Sequence, residues 1–302
     1  MLFRQHGCSL TVHTPAKLNL FLEVLGKRTD GFHELETLMM SVRLYDTLCF
    51  TEDASGIICL DGMAAGPHVG GDQSFDVLSL GKDNLIVRAA ELLRSYAGIE
   101  NGIRIRLFKR IPISAGLAGG SSDAAATLAA LNRLWRLNLP VRELQKLAMQ
   151  LGSDVGFFLE NSSTAVCRGR GEIIEPLDLP VGMHFVIVRP RTGLSTAEVY
   201  QRYRPAEKPK NVNTLTDCLK RGRMSKAAGW MHNALQPVAE QMNPDVTELR
   251  GIFDSESIDG HMMSGSGSAY FGMCATRRQA RRIASRFQNL KIGMAYVAEN
   301  GP

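Results

Sequence analysis

No stretch of this 302-residue chain approaches the roughly 20 consecutive apolar residues a membrane-spanning helix needs. The opening run, Met1-Leu2-Phe3-Arg4-Gln5-His6-Gly7, lacks the apolar centre of a secretory signal. The six cysteines, Cys8, Cys49, Cys59, Cys167, Cys218 and Cys274, form no C-x-x-C pair, which argues against zinc-ribbon and thioredoxin-type sites. Together these absences give a reduced, cytoplasmic protein as the expectation. No internal repeat occurs. No Gly-Lys-Ser/Thr closes a Walker A loop, no H-R-D marks a protein-kinase catalytic loop, and no G-x-G-x-x-G marks a dinucleotide fold.

What is present reads as an ordinary globular composition, 44% hydrophobic and 22% charged. The formal net charge of +5 includes Arg277, Arg278, Arg281, Arg282 and Arg286 along one late helix. Such a run is either a nucleic-acid face or, more often, a solvated one, and a mild positive balance equally suits an enzyme of anionic substrates.

The first fifty residues alternate as short strands over 10–14, 18–25, 35–42 and 47–50, with a polar connection over 26–34. From Asp53 to Gly81 the chain is rich in Gly, Ser, Asp and Ala, which predicts a surface loop or frayed hairpin. Asp83-Asn84 opens a helix with Leu85, Ala89, Leu92 and Leu93 at helical spacing. A strand over 103–108 and a helix over 124–135 follow. A second helix carries Leu144, Leu147, Ala148 and Leu151 and ends in a turn at 152–156. A proline-containing turn near 177–182 marks a domain boundary ahead of a strand over 184–188. The Pro- and Lys-rich stretch 205–213 reads as a linker or lid. Helices dominate 215–253, and a glycine–serine turn over 260–268 leads into a strand and the Arg-rich helix. Strands and helices are mixed without regular alternation, so the fold class is α+β.

The run from Ile111 to Ala126, I-P-I-S-A-G-L-A-G-G-S-S-D-A-A-A, joins that central strand to its helix. Small residues leave its N–H groups bare, and Ser121 and Ser122 stand where a helix would be capped. Bare N–H groups at the positive end of a helix dipole bind anions, of which phosphate is the common one. Taken alone, the loop also reads as a plain strand–turn–helix connection with packing glycines.

Two further motifs flank it: Pro15-Ala16-Lys17-Leu18-Asn19-Leu20 near the start and Met263-Ser264-Gly265-Ser266-Gly267 near the end. The trio, in this order, resembles the GHMP kinases, small-molecule ATP kinases. The runs Asp30-Gly31-Phe32-His33-Glu34-Leu35, Leu151-Gly152-Ser153-Asp154-Val155 and Arg168-Gly169-Arg170-Gly171-Glu172 extend the likeness across nearly the whole chain. The first of these belongs to the branch whose acceptor is a cytidine-diphosphate-linked polyol.

The resemblance implies a two-domain fold: a ribosomal-protein-S5-like, ATP-binding N-terminal domain over 1–176 and an α/β C-terminal substrate domain over 177–302. It implies Asp154 as the group that takes the acceptor's proton, with Lys17 beside it. ATP and Mg²⁺ are the implied cofactors. Pro112, Ala115, Gly116, Leu117, Ala118, Gly119, Gly120, Ser121 and Ser122 would wrap the phosphates, with Ser121 or Ser122 reaching phosphate or Mg²⁺. Asn84 and Lys109 would meet adenine or its ribose. Phe32 and His33 match the branch's cytosine pair, Tyr200 stands where a second stacking aromatic belongs, and Asn19 lies near the acceptor. Gly265, Ser266 and Gly267 would close the site from the second domain. No protein ligand for a metal is implied, nor a nucleic-acid or membrane partner, and the expected state is a monomer or weak homodimer. Ser114 and Ala118 replace glycines usual in the family's loop, a change that costs energy only where φ must be positive. Gly156 replaces the usual proline after Asp-Val. The alternatives are another GHMP-type alcohol kinase and a retired kinase fold that only binds; Phe32-His33 speaks against the first and the intact Lys17 and Asp154 against the second.

Overall fold

The computed structural model describes residues 1–7, 9–64, 78–160, 162–179 and 182–301. In chain order the first part comprises β1 (Leu2–His6), β2 (Ser9–Lys27), β3 (His33–Asp53), β4 (Ile58–Ala64), α1 (Leu85–Ala97) and β5 (Gly102–Lys109). Then come α2 (Gly119–Leu134), α3 (Val141–Leu151), α4 (Val155–Leu159), β6 (Thr164–Gly169) and β7 (Ile173–Pro176). The later part holds β8 (His184–Pro190), α5 (Thr196–Arg202), α6 (Asn213–Lys220), α7 (Met224–Ala228), β9 (His232–Asn233) and α8 (Gln236–Met242). It ends with α9 (Pro244–Asp254), β10 (Gly260–Met263), β11 (Tyr270–Cys274), α10 (Arg277–Leu290) and β12 (Gly293–Glu299).

Two sheets organise the chain, and the α+β class holds. The first runs β1-β2-β3-β5-β4, with β6 also on β3, β7 on β6, and β9 on β2; the second runs β10-β11-β8-β12. Helices α1, α2, α3 and α4 pack on the first sheet through Leu93, Leu128, Leu131, Leu147 and Phe157, all buried. One core cluster bridges the two sheets, joining Leu18 and Met40 of the first to Phe185 and Phe271 of the second.

Several sequence expectations are corrected here. The four short strands of the first fifty residues are two long ones, β2 and β3, paired from Ser9↔Thr51 to Lys27↔His33. Pro15, which has no N–H to give a ladder, reads as a break; the pairing absorbs it as a register shift at Pro15/Ala16, where the strand bends and continues. Asp46, in the gap left between the third and fourth of those strands, is fully buried, its Oδ1 accepting the N–H groups of Arg110 (2.5 Å) and Ile111 (2.9 Å). The 53–81 loop contains β4, parallel to β5; its stretch 65–77 lies outside the described residues. β9 interrupts the helical run of 215–253, and β10 takes the first four residues of the 260–268 turn.

The helix predicted from Ala124 begins five residues earlier, at Gly119. Its N-cap is Ala118 in the left-handed region (φ 54°, ψ 32°), not a serine. Along α10, Ala280, Ile283, Ala284 and Phe287 are buried and its arginines exposed. No described helix is long and apolar enough to cross a membrane.

Candidate active site

A cleft of about 1220 Å³ opens between the two sheets, large enough for two nucleotide-sized ligands. Its floor is the junction of β5, the 110–118 loop and α2. The first intrahelical bond of α2 runs from Ser122 N–H to Ala118 O (2.9 Å). The N–H groups of Gly119, Gly120 and Ser121 therefore have no partner within the helix. No acidic residue occupies the first turn and no side chain caps it, so the positive end of the dipole faces the cleft. A side chain at Gly119 would meet Lys109 Nζ at 2.8 Å and Ile111 at 2.9 Å; bare backbone is what fits. Ser114 (φ 52°) and Ala118 (φ 54°) both hold left-handed backbone, so their β-carbons carry the cost that glycine would avoid.

Pro112, Ala115, Gly116, Ala118, Gly119, Gly120 and Ser121 all line this cleft. Two of the expected phosphate residues do not face it. Leu117 is fully buried, contributing its carbonyl to Lys17 N–H (3.1 Å). Ser122 is also fully buried, its hydroxyl held by Thr14 and bonded to Pro15 O at 2.6 Å. Consecutive helical residues point about 100° apart, so when Ser121 faces the cleft Ser122 turns to β2.

Asn84 caps α1, its Oδ1 accepting Ile86 N–H at 2.8 Å, and lines the cleft from the side. Lys109 also lines it, but its ammonium is committed to Asp46 (2.5 Å) and Asp123 (2.6 Å). Burial lowers the Lys109 pKa, but the two carboxylates more than offset this and hold it above the usual value. Asp123 is pushed up to about 7, by burial first and the charge of Asp46 next, against the pull of Lys109. Sequence reasoning missed Asp46 and Asp123. A carboxylate in a strand and another in an alanine-rich helix carry no local sign that they converge on one lysine.

At the centre, Lys17 Nζ lies 3.6 Å from Asp154 Oδ2, 2.6 Å from Asn19 Oδ1 and 2.9 Å from Gly116 O. Lys17 comes from β2, and Asp154 from the turn between α3 and α4. Burial lowers the Lys17 pKa; the Asp154 charge and hydrogen bond pull it back only in part. Asn19 is fixed from behind, donating to Thr37 Oγ1 at 2.8 Å. A buried ammonium beside a partly exposed carboxylate can hold a hydroxyl and receive its proton.

The far end is built by the β2–β3 hairpin tip. Asp30 Oδ1 accepts Phe32 N–H (3.1 Å) and Gly31 takes φ 87°, a tight turn that pushes Phe32 outward to 49% exposure. Arg170 sits 4.4 Å above the Phe32 ring. His33 and Tyr200 have ring centroids 5.0 Å apart, so the second aromatic stands beside the first pair. Burial, then the nearby Lys27, holds His33 below its usual pKa, which leaves a neutral imidazole with one donor and one acceptor at neutral pH. Burial, then the Asp154 charge, raises the Tyr200 phenol, keeping it a neutral hydroxyl.

From the second sheet, the 264–268 loop docks on the phosphate loop. Ser264 donates to Gly116 O at 3.0 Å and Ala269 N–H to Ala115 O at 3.1 Å. Asn233 Nδ2 donates to both Met263 O and Gly265 O at 2.8 Å. Gly265 and Ser266 line the cleft; Gly267 stands behind them, against Met263 and Leu194. Among the described residues, no group of three or more His, Cys, Asp and Glu side chains is arranged to hold a metal.

The sequence matches two family descriptions, "GHMP kinases N terminal domain" over residues 84–161 and "GHMP kinases C terminal" over 215–292. The chain belongs to the GHMP kinase family and is an ATP-dependent small-molecule kinase. Its branch of that family is equally plain. It is 42% identical to the 4-diphosphocytidyl-2-C-methyl-D-erythritol kinase of Pelotomaculum thermopropionicum, over 92% of this chain and 94% of that one. It is 37% identical to the enzyme of the same name from Alkaliphilus metalliredigens, over 92% and 91%. A crystal structure of 4-(cytidine 5'-diphospho)-2C-methyl-D-erythritol kinase superposes with TM-score 0.78 at 36% identity, covering 97% of this chain and 99% of that one. Homoserine kinase from Cytophaga hutchinsonii shares the fold at TM-score 0.74 and 18% identity, over 100% and 97%.

Proposed function

We propose that the chain phosphorylates the 2-hydroxyl of 4-diphosphocytidyl-2-C-methyl-D-erythritol with ATP, giving the 2-phosphate and ADP in the non-mevalonate route of isoprenoid synthesis. The observation that carries this reading is the convergence of Phe32, His33 and Tyr200 at one end of a cleft whose other end is a bare helix N-terminus. An aromatic face stacks on a pyrimidine, and one nitrogen of a neutral imidazole can donate to or accept from a cytosine edge. A polyol or amino-alcohol acceptor makes no use of that trio. Residues 1–176 carry the nucleotide end and 177–302 close over the acceptor, with both halves contributing to the cytosine end.

The N–H groups of Gly119, Gly120 and Ser121 hold the ATP phosphates, and Asn84 borders the nucleoside. Mg²⁺ neutralises phosphate charge when bound, and the Ser121 hydroxyl is the hard oxygen donor at the helix start suited to it. Lys17, its ammonium 3.6 Å from Asp154, draws the acceptor hydroxyl toward its alkoxide character and fixes the carboxylate beside it. Asp154 accepts the proton as the acceptor oxygen bonds the γ-phosphorus, and the bond from that phosphorus to the β-phosphate oxygen breaks to release ADP. Such positioning and charge compensation, with no covalent enzyme intermediate, is what phosphoryl transfer asks of a protein. The protein acts in the cytoplasm, without a nucleic-acid partner, as a monomer or weak homodimer.

Steady-state kinetics of Phe32→Ala tests the acceptor assignment. The KM for the cytidyl acceptor is expected to rise about 10-fold or more, the loss of one stacking contact, with the KM for ATP within about two-fold. An equal rise in both constants contradicts it.

A further inference from the structure

Glu23 and Glu36 face each other directly across the β2–β3 hairpin. Like charges in that relation repel, and the Glu23 residue is only 2% exposed. Apolar or β-branched residues would suit such a position better as packing alone. Each carboxylate is compensated by groups that arrive from far along the chain. Glu23 Oε2 accepts from His232 Nε2 (3.1 Å) and from the backbone N–H of Lys210 (2.9 Å), and its Oε1 accepts from Val24 N–H (3.0 Å). Glu36 Oε1 accepts from Arg168 Nε (3.0 Å) and its Oε2 from the backbone N–H of Val212 (3.0 Å). Burial raises the Glu23 pKa, but these donors more than reverse it and keep the carboxyl below its ordinary value.

The two backbone donors belong to one segment. Residues 204–211 are exposed and carry no regular structure, and Pro205 and Pro209 withhold two of their N–H groups. Buried posts stand at either end, Tyr203 and Val212. The segment follows α5, the helix that carries Tyr200, and Tyr203, Arg204 and Pro205 line the cleft beside it. Its fastening is therefore the pair of carboxylates, two residues apart in what they grip and opposite each other in the hairpin whose tip carries Phe32 and His33.

We propose that Glu23 and Glu36 are positioning residues for the acceptor end of the site: they clamp the 203–212 strap to the hairpin and thereby hold Tyr200 against His33. The clamp ties the two faces of the base pocket, one from each half of the chain, into a single rigid slot. This inference rests on the cytidyl-acceptor reading for its substrate, but not for its geometry.

The test uses the full-length enzyme with Mg-ATP and the cytidyl acceptor. Glu23→Gln and Glu36→Gln keep shape and remove the charged acceptor. Each is expected to raise the acceptor KM about 10-fold, the loss of a charge-assisted hydrogen bond, with the ATP KM and kcat within about two-fold. Lys210→Pro deletes the N–H to Glu23 at an exposed residue and leaves both carboxylates in place, with Lys210→Ala as the control that removes only the ammonium contact to His232 (3.3 Å); the same split is expected for the proline variant and not for the alanine one. A merely structural role predicts lower thermal stability with no split between the two constants. The cycle with Tyr200→Ala is the sharper readout. Glu23→Gln is expected to add less than about two-fold to the acceptor KM in that background, because the residue it positions is gone. Equal shifts in both KM values, or full additivity with Tyr200→Ala, overturns the proposal. Failure of the wild-type enzyme to use the cytidyl acceptor contradicts the function reading instead, and the same variants are then measured on the acceptor it does use.

Discussion

Replacing Lys17 by methionine separates what the active-site lysine contributes to folding from what it contributes to turnover. Breaking a buried ion pair by removing one partner usually costs about 3–5 kcal/mol, because the surviving charge is left buried and unpaired. That penalty does not apply here. Asp154 has a side chain 27% exposed, so water can solvate it when Lys17 is gone. What is lost is the donor to Asn19 Oδ1 and to Gly116 O, and the latter keeps its bond from Ser264. An orphaned Asn19 oxygen costs about 1–3 kcal/mol. Against it stands relief from burying an ammonium, several kcal/mol per ion, and burial dominates the Lys17 pKa, which lies below its ordinary value. The net expectation is a change in unfolding free energy within about 1 kcal/mol of zero, with kcat down by about 10³ or more from the lost charge at the reacting hydroxyl. The pH dependence adds a second signature. With a folded-state pKa below the unfolded value of about 10.5, the unfolded chain binds more protons between the two, so wild-type stability contains a contribution that rises with pH through that window. That contribution is missing from Lys17→Met. Denaturant melts of both proteins at neutral and alkaline pH, alongside turnover, make the measurement. A loss of 3–5 kcal/mol at neutral pH, on the order expected for a stabilising buried pair, refutes the reasoning.

The remaining predictions concern the phosphate loop and the proton acceptor. Ser122→Ala should cost about 1–2 kcal/mol of stability, as a buried hydroxyl bridging Thr14 and Pro15 is lost, and leave the ATP KM within about two-fold; Ser121→Ala should do the reverse, raising the ATP KM without a stability loss. Ala118→Gly relieves a left-handed β-carbon at φ 54°, worth about 1–2 kcal/mol before the entropy of glycine returns about half of it, so a small rise in melting temperature is expected. Gly116→Ala places a β-carbon 2.1 Å from Ser264 O at φ 73°, and should lower both stability and kcat by parting the two loops; a thermal melt unchanged from wild type contradicts that contact. Asp154→Asn should abolish turnover while nucleotide binding, followed by calorimetry, persists; retained turnover moves the proton acceptor elsewhere.

Much of the site was legible before the structure because its parts are local. A turn at Asp30-Gly31, a small-residue loop entering a helix, and a lysine and an asparagine two apart on one strand face are each encoded by neighbours in sequence. The gaps left at 15–17 and 43–46 are places where tertiary pairing overrides local preference: a bulge carries Pro15, and Lys109 with two N–H groups compensates Asp46. Ser121 and Ser122 were indistinguishable by type, and only the start of α2 at Gly119 decides which one faces the cleft. Glu23, Glu36, His232 and Asn233 had no signal at all, since the contacts that place them, Glu23 to His232, Glu36 to Val212 and Asn233 to Met263, span 30 to 209 positions. The positive backbone at Ser114 and Ala118 is a conformational demand that glycine meets freely and that this chain meets at some energetic cost.

Turnover of a panel of alcohols with Mg-ATP, followed by ADP release, tests the central claim most directly. The panel holds 4-diphosphocytidyl-2-C-methyl-D-erythritol beside homoserine, mevalonate and the same polyol without its cytidyl group. The cleft geometry predicts efficient phosphorylation of the cytidyl compound and little or none of the others, with phosphate on the 2-hydroxyl. Preferred turnover of an acceptor that lacks the cytosine contradicts the assignment of Phe32, His33 and Tyr200, and with it the account of the cleft.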